Sequence, residues 1–187
     1  MKETYLQDQT FEQGHRLERG EYENCLFRGC DLSEQDLSQY SFIDCTFDSC
    51  NLSMAKLHKT QLNNVQFQDC KMLGLRFDHC NPIGLSFSFA GCQLQHASFY
   101  KVKSRKTRFS KCQLVEVDFA EADLTEAVFA ECELSGAVFD HTVLEKADFR
   151  TAFHFSLDPE NNRIQKAWFS LSGLSGLLQK YDIKVED

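Results

Sequence analysis

Residues 112–134 read CQLVEVDFAEADLTEAVFAECEL, and one rule repeats through this stretch. Every fifth residue is large and apolar, from Leu114 to Leu134, and the residue two places before each is small, from Cys112 to Cys132. A helix would carry a five-residue series around its surface, since five steps rotate it by about 500°. A straight strand would point successive members to opposite faces. The pattern therefore predicts short extended pieces, each ended by a turn, with both series facing inward.

The same two series run through most of the chain. Large apolar residues recur at every fifth position from Leu17 to Phe87 and again from Phe89 to Phe149, and only Pro82 and Ser104 interrupt them. All nine Cys fall in the small-residue slot, where a free thiol behaves as a small hydrophobe. The core-lining residues predicted from this pattern include Cys30, Leu32, Cys50, Leu52, Cys70, Met72, Cys112, Leu114, Phe119, Leu124, Phe129, Cys132 and Leu134.

Like residues also recur at intervals of twenty. Cys30, Cys50 and Cys70 have this spacing, and so do Phe27 and Phe47. Twenty residues are four pentads, so we expect a square coil with identical side chains stacked one above another, about 4.8 Å apart. The chain is then a solenoid, in which each coil contacts only its neighbours.

The two apolar series are offset by two residues, which predicts a register shift near 82–89. Asn81-Pro82-Ile83-Gly84 marks the insertion, because Pro and Gly together are turn formers. Two interpretations stay open at this point. The insertion is either a bulge or wider corner that the rod tolerates, or a loop that contacts a partner.

The pentads Ala122-Asp123-Leu124-Thr125-Glu126 and Cys30-Asp31-Leu32-Ser33-Glu34 resemble the A(D/N)LXX motif of the pentapeptide-repeat family. The resemblance covers nearly the whole chain. It implies an all-β fold, namely a right-handed quadrilateral β-helix. Many members of the family dimerise through the C-terminal end, so the resemblance also implies a dimer. A weaker resemblance is to the Qnr-type quinolone-resistance proteins, dimers proposed to imitate DNA when they act on DNA gyrase and topoisomerase IV.

Three segments are expected. Residues 1–14 would cap one end, residues 15–155 would form the β-helix, and residues 156–187 would form a turn, a last coil and a short amphipathic helix over 174–181. The C-terminal end has more apolar side chains than a solvated cap requires, which favours a homodimer joined there; the alternative is a monomer with a folded-back cap. The predicted dimer contacts are Trp168, Phe169, Leu174, Leu177, Leu178 and Tyr181.

Charge is unevenly spread in a chain whose net charge is −8. The acidic residues predicted as a partner surface are Glu116, Asp118, Glu121, Asp123, Glu126, Glu131 and Glu133. A basic patch precedes them, formed by Lys101, Lys103, Arg105, Lys106, Arg108 and Lys111. An acidic strip along a rod could imitate a DNA duplex and associate rapidly with a basic protein surface. The alternatives are that both sets are ordinary solvated faces, or that the patch touches an acidic partner, phosphate or nucleic acid.

Sites for catalysis, metals or cofactors are not expected. The chain has no CxxC pair, no GxGxxG and no Walker A motif, and its thiols are predicted to be buried and inert. No apolar run reaches the about 18 residues that cross a bilayer, and no secretory leader is visible, so a cytoplasmic location is expected. The first functional hypothesis is a dimeric interaction protein, with a type II topoisomerase as one target and no direct nucleic-acid binding. The second is a structural scaffold or protein-binding module without a topoisomerase target.

Overall fold

The computed structural model describes residues 4–14 and 17–184 as a β-solenoid of short parallel strands. The strands in these residues are β1 (Thr4–Gln7), β2 (Thr10–Glu12), β3 (Gly20–Glu23), β4 (Leu26–Arg28), β5 (Ser41–Ile43), β6 (Thr46–Asp48), β7 (Gln61–Asn63), β8 (Val65–Gln68), β9 (Phe87–Ala90), β10 (Arg108–Ser110) and β11 (Val128–Ala130). The 3₁₀ helices are Phe77–His79, Leu171–Leu177 and Gln179–Tyr181. One sheet has the order β1-β3-β5-β7, and the other has the order β11-β10-β9-β8-β6-β4-β2.

Each coil has four sides, which we number in chain order. The four-stranded sheet lies on side 1 and the seven-stranded sheet on side 2. On sides 3 and 4, successive coils are joined by single parallel bridges between residues twenty apart. Examples are Gln113 with Glu133 on side 3 and Asp118 with Val138 on side 4. The spacing of twenty predicted from the sequence is therefore the length of one regular coil.

Residues with positive φ form the corners between sides. Glu116, Glu121, Glu126 and Glu131 occupy four successive corners, with φ between 53° and 61°. A residue with a Cβ pays about 1–2 kcal/mol for this left-handed conformation. Pairing between coils compensates for it: the amide of Glu121, for example, donates to the carbonyl of Asp140 at 2.8 Å.

Stacked phenylalanine rings fill the interior. On side 2 the ring of Phe109 lies between those of Phe89 and Phe129, with centroids 5.1 Å away on both sides and planes within 5° of parallel. A second ladder on side 4 meets the first edge to face, as Phe99 meets Phe109 at 5.8 Å. Each core-lining residue predicted from the sequence exposes 3% or less of its surface.

The register shift is located between residues 80 and 87. Asn81 donates its amide to the carbonyl of Thr60, twenty-one residues earlier, just as Gln61 donates to Tyr40 in the regular coil before, whereas Val65 pairs with Phe87, twenty-two residues later instead of twenty. Pro82 interrupts side 1 there, and because proline has no amide hydrogen it cannot continue the ladder beyond β7.

Both interruptions of the apolar series lie on side 1 in adjacent coils. Ser104 follows Pro82 by twenty-two residues and is buried. The insertion brings two further buried side chains, Leu85 and Phe87, into this part of the core. The ring of Phe87 packs 5.2 Å from that of Phe77. The coil that gains the buried side chains Leu85 and Phe87 is thus followed by a coil in which the small Ser104 takes the position of a large residue.

The described part of the predicted N-terminal cap contains the strands β1 and β2. β1 and β2 pair in parallel with β3 and β4, with Thr4 opposite Gly20 and Thr10 opposite Leu26. The first coil is therefore sixteen residues long, shorter than the regular twenty. Residues 1–3 of the predicted cap, residues 15–16 at the start of the predicted repeat region and residues 185–187 lie outside the described residues.

The helix predicted over 174–181 begins earlier and is of the 3₁₀ type. Its first segment, Leu171–Leu177, reads LSGLSGL, and this three-residue period matches the three residues per turn of a 3₁₀ helix. The hydroxyl of Ser170 accepts the amide of Gly173 at the start of the helix. A Cβ at Gly176 would clash with the carbonyl oxygen of Phe155, so glycine allows the segment to pack tightly on the last coil.

Candidate interaction surfaces

Asp side chains after the small-residue slot stabilise the turn of their own side. Asp123 accepts hydrogen bonds from the amide and hydroxyl of Thr125 at 3.2 and 2.6 Å, and Asp118 accepts the amide of Ala120 at 2.9 Å. Burial works to raise the pKa of Asp123, but the bonds from Thr125 and the Arg105 guanidinium outweigh burial and lower it. These carboxylates are engaged within the molecule, as Asx turns require.

The nine thiols are buried, and several act as hydrogen-bond donors. The Sγ of Cys50 lies 3.3 Å from the carbonyl oxygen of Phe27 in the coil before. Thr142 occupies the same slot, and its hydroxyl donates to the carbonyl of Phe119 at 2.9 Å. Burial raises the pKa of Cys45 to about 12, so this thiol is protonated at neutral pH and is a poor nucleophile.

The seven acidic residues predicted as a partner surface do not share one face. They are distributed around the perimeter of the rod within about one coil, because consecutive pentads lie on consecutive sides. In chain order they are Glu116 at a corner, Asp118 on side 4, Glu121 at a corner, Asp123 on side 1, Glu126 and Glu131 at corners, and Glu133 on side 3. An acidic strip along the rod would need acids spaced twenty residues apart. The expected strip is therefore corrected to a band around the rod.

The basic patch lies one coil before this acidic band and pairs with it. The ion pairs are Lys101–Glu121 at 3.3 Å, Arg105–Asp123 at 2.8 Å and Lys106–Glu126 at 3.9 Å. Glu116 and Glu133 face histidines, His96 at 3.1 Å and His154 at 2.7 Å. The patch and the band form one surface of mixed charge. Sequence reasoning missed these pairs, although opposite charges near a spacing of twenty were the available signal.

A few members of the two sets have no salt bridge within residues 4–14 and 17–184. They are the cations Lys103, Arg108 and Lys111 and the acids Asp118 and Glu131. The three cations lie on sides 1 and 2 or at the corner that ends side 2. Free positive charge is thus concentrated on one half of the perimeter.

The insertion exposes an apolar side chain. Ile83 is 78% exposed, and its amide donates to Oδ1 of Asn81 at 3.0 Å. Gly84 follows with φ of 68°, and an added Cβ there would lie 3.5 Å from Nδ2 of Asn63 in the coil before. The insertion is thus a tight turn held against its neighbour, with Ile83 at its tip.

The C-terminal end combines buried and exposed apolar residues. Of the six predicted dimer contacts, Trp168, Leu174 and Tyr181 are exposed, Leu178 is half-buried, and Phe169 and Leu177 pack against the core. Phe169 and Leu177 therefore stabilise the last coil and offer little surface to a partner. Leu171, which is not among the predicted contacts, is 89% exposed.

Among the residues that the structure describes, no group of three or more His, Cys, Asp or Glu could hold a metal ion. No helix in the same residues has the length and apolar character needed to span a bilayer.

An interior filled by side chains, with polar residues on four repeating sides, defines a solenoid repeat protein. The family model of the pentapeptide repeat region matches residues 20–99 and 85–153, and the chain belongs to this family. No match was found among curated proteins.

Solved structures show the same fold. The chain is similar to QnrB1, a plasmid-mediated fluoroquinolone resistance protein, with a TM-score of 0.60 and 20% identity over 96% of this chain and 100% of that chain. It is also similar to HetL, a pentapeptide repeat protein involved in heterocyst differentiation regulation from the cyanobacterium Nostoc sp., with a TM-score of 0.52 and 15% identity over 91% of this chain and 86% of that chain. At these identities the likeness concerns the fold alone.

Proposed function

We propose that this chain is a non-enzymatic protein-interaction module that forms a homodimer through its C-terminal end. The observation that carries the dimer is the exposure of apolar side chains at this end, with Trp168 58%, Leu171 89% and Tyr181 50% exposed. Large exposed apolar side chains at one end of a molecule are typical of a protein interface. A twofold axis at this end would bury them against their own copies.

The Cys45 thiol and the Asp123 carboxylate support a binding role rather than a catalytic one. The thiol of Cys45 is buried and protonated, and the carboxylate of Asp123 is held by Thr125 and Arg105. A nucleophile or general base needs accessible side chains with a free lone pair. These groups instead fix the coil and its corners.

Imitation of DNA receives less support than binding of another kind. The likeness to QnrB1 makes a type II topoisomerase a target to test. However, Glu121, Asp123 and Glu126 are ion-paired with the preceding coil, and their carboxylates encircle the rod. A basic DNA-binding surface would meet alternating charges on side 1 rather than a continuous negative face.

Two measurements test the proposal. The immobilised chain of 187 residues would be used to select from a display library of random peptides of about twelve residues, enough to span two sides of a coil. We expect enriched sequences; failure to enrich any would contradict a protein-binding role. In parallel, gyrase supercoiling and topoisomerase IV decatenation would be followed with and without a quinolone at two salt concentrations. We expect neither inhibition nor protection of the two topoisomerases at micromolar concentrations of the protein. Inhibition or protection that fades in the Glu121→Gln and Asp123→Asn variants would instead restore the DNA-mimic hypothesis.

A further inference from the structure

One complete coil carries no formal charge. Residues 80–100 contain no Asp, Glu, Lys or Arg, in a chain of which 26% of the residues are charged. We call this segment the neutral coil. On sides 1 and 2 its outward residues are small or apolar apart from Asn81, and Ile83 projects from the insertion with 78% of its surface exposed. Depletion of charge is the compositional mark of an interface core, which a polar rim surrounds.

Cations border the neutral coil on the same two sides. Lys103, Arg108 and Lys111 follow it in the next coil, are exposed, and have no salt bridge to a described residue. We call these three the cationic border. Their neighbours Arg105 and Lys106 are already paired with acids of the coil that follows.

The coil that precedes the neutral coil adds amides rather than acids. Its outward residues on sides 1 and 2 are Gln61, Asn63, Asn64, Gln66, Gln68 and Asp69. Asp69, the single acid, lies at the corner that ends side 2, against Gly91. Sides 1 and 2 are therefore nearly free of negative charge from residue 61 to residue 111.

We propose that the neutral coil and the cationic border bind, on sides 1 and 2, an acidic protein segment with an apolar side chain that packs on Ile83. This inference rests on the proposed protein-binding function and names its surface and the chemistry of its partner. Carboxylates of the segment pair with Lys103, Arg108 and Lys111, which lack partners in the chain itself. Such charge-assisted hydrogen bonds are stronger than neutral ones and set the register of the complex. An extended segment of about ten residues would cover two sides of five residues each.

Nucleic acid fits this surface less well. Duplex DNA carries a charge every ~1.7 Å, and its grooves are about 12 and 6 Å wide, so its footprint spans several coils. Coils are only about 4.8 Å apart. A duplex on the cationic border would therefore also overlie the next coil, where Glu126 and Glu131 lie at corners.

The test uses the peptides enriched on the chain of 187 residues, with binding measured by fluorescence anisotropy. The first variant is Ile83→Asp and the second is Arg108→Glu, both at exposed positions. The control is Met54→Asp, since Met54 is an apolar residue, 61% exposed, at a corner outside this surface. We expect enriched peptides rich in Asp and Glu, binding that weakens with salt, and a loss of about tenfold or more in both variants but not in the control.

Each other outcome overturns the inference in a different way. Peptides that bind both variants as tightly as the unmodified protein would place the interaction on another surface and leave the protein-binding function intact. Binding of a duplex DNA probe that exceeds peptide binding and is lost in Arg108→Glu would assign the surface to nucleic acid. Absence of any enriched peptide would remove the proposed function and the inference together.

Discussion

The hydroxyl of Thr142 donates a 2.9 Å hydrogen bond to the carbonyl oxygen of Phe119, which lies twenty-three residues earlier in the coil before. Cys50 and Phe27 are related in the same way, at 3.3 Å. In both pairs the donor occupies the small-residue slot and the acceptor belongs to a large core residue. The slot therefore favours a short side chain that can donate, because a buried carbonyl gains from a partner. Cys and Thr meet this requirement, whereas Ala meets only the requirement for small volume.

Replacing Thr142 with Val tests the energetic role of this donor. The Thr142→Val substitution keeps the shape of the side chain and removes its donor, so we expect the free energy of unfolding to fall by about 1–2 kcal/mol. Urea unfolding followed by circular dichroism measures the change. Thr46→Val is the matched control, because Thr46 points outward on β6, and it should change stability by less than about 0.5 kcal/mol. Equal effects in the two variants would show that the hydrogen bond contributes nothing measurable.

The phenylalanine ladder should be the most sensitive part of the core. Phe109→Ala removes a ring that stacks at 5.1 Å on both neighbours, and we expect a loss of about 3–5 kcal/mol in the free energy of unfolding. Phe153→Ala serves as the control, since Phe153 is 42% exposed and outside the ladder. Calorimetry or urea titration compares the two. A Phe109 variant no less stable than the Phe153 variant would mean that the stack relaxes around the lost ring.

Alkaline pH should destabilise the fold through its buried thiols. Burial raises the pKa of Cys45 to about 12 and also raises that of Cys80. An unfolded thiol ionises near pH 8.5, so stability is fully present below that pH and declines as the pH rises toward the folded pKa. By about pH 10 each such thiol should cost about 2 kcal/mol.

The urea midpoint measured under reducing conditions at about pH 7 and about pH 10 tests this expectation. Cys45→Ala removes one of the titrating groups, so the difference between the two midpoints should shrink in this variant. A difference that is unchanged in Cys45→Ala would show that this thiol does not contribute to the pH dependence.

The proposed dimer should depend on the exposed apolar residues at the C-terminal end. We expect the protein to sediment at twice its mass of 21.6 kDa, and the double variant Leu171→Glu, Leu174→Glu to sediment as a monomer. Charge placed in an apolar interface is unfavourable because it is desolvated without a partner. Met54→Glu, at an exposed position in the third coil and away from the C-terminal end, should leave the dimer unchanged. A monomeric unmodified protein would end the dimer proposal.

The five-residue period was sufficient to predict the solenoid. The two inward positions of each side follow from this local repeat alone, so no long-range contact had to be known. The spacing of twenty also contained the correct placement of the acids. Residues such as Glu116 and Glu121, five apart, had to lie at successive corners rather than in a strip. The period of three in the segment from Leu171 to Leu177 was a visible signal of a 3₁₀ helix.

Other features required coordinates. The strands β1 and β2 belong to a first coil of sixteen residues, so the regular period of twenty does not extend to them. The exposure of Ile83 depends on the path that the inserted residues take around the corner. On this path Leu85 points into the interior, whereas Ile83 is exposed. The division of the C-terminal residues into core and surface likewise depends on the tight approach of Gly176 to Phe155.

The mapping of sequence onto this rod has an evolutionary consequence. One coil is one contiguous block of the gene, whereas a line along the rod is assembled from codons scattered over its whole length. Recombination of a single block could therefore transfer a complete ring of surface, such as residues 80–100 with Ile83, into another rod while the backbone ladders on either side stay in register. Recognition in such proteins can thus be exchanged ring by ring, whereas a lengthwise pattern must be acquired one substitution per coil.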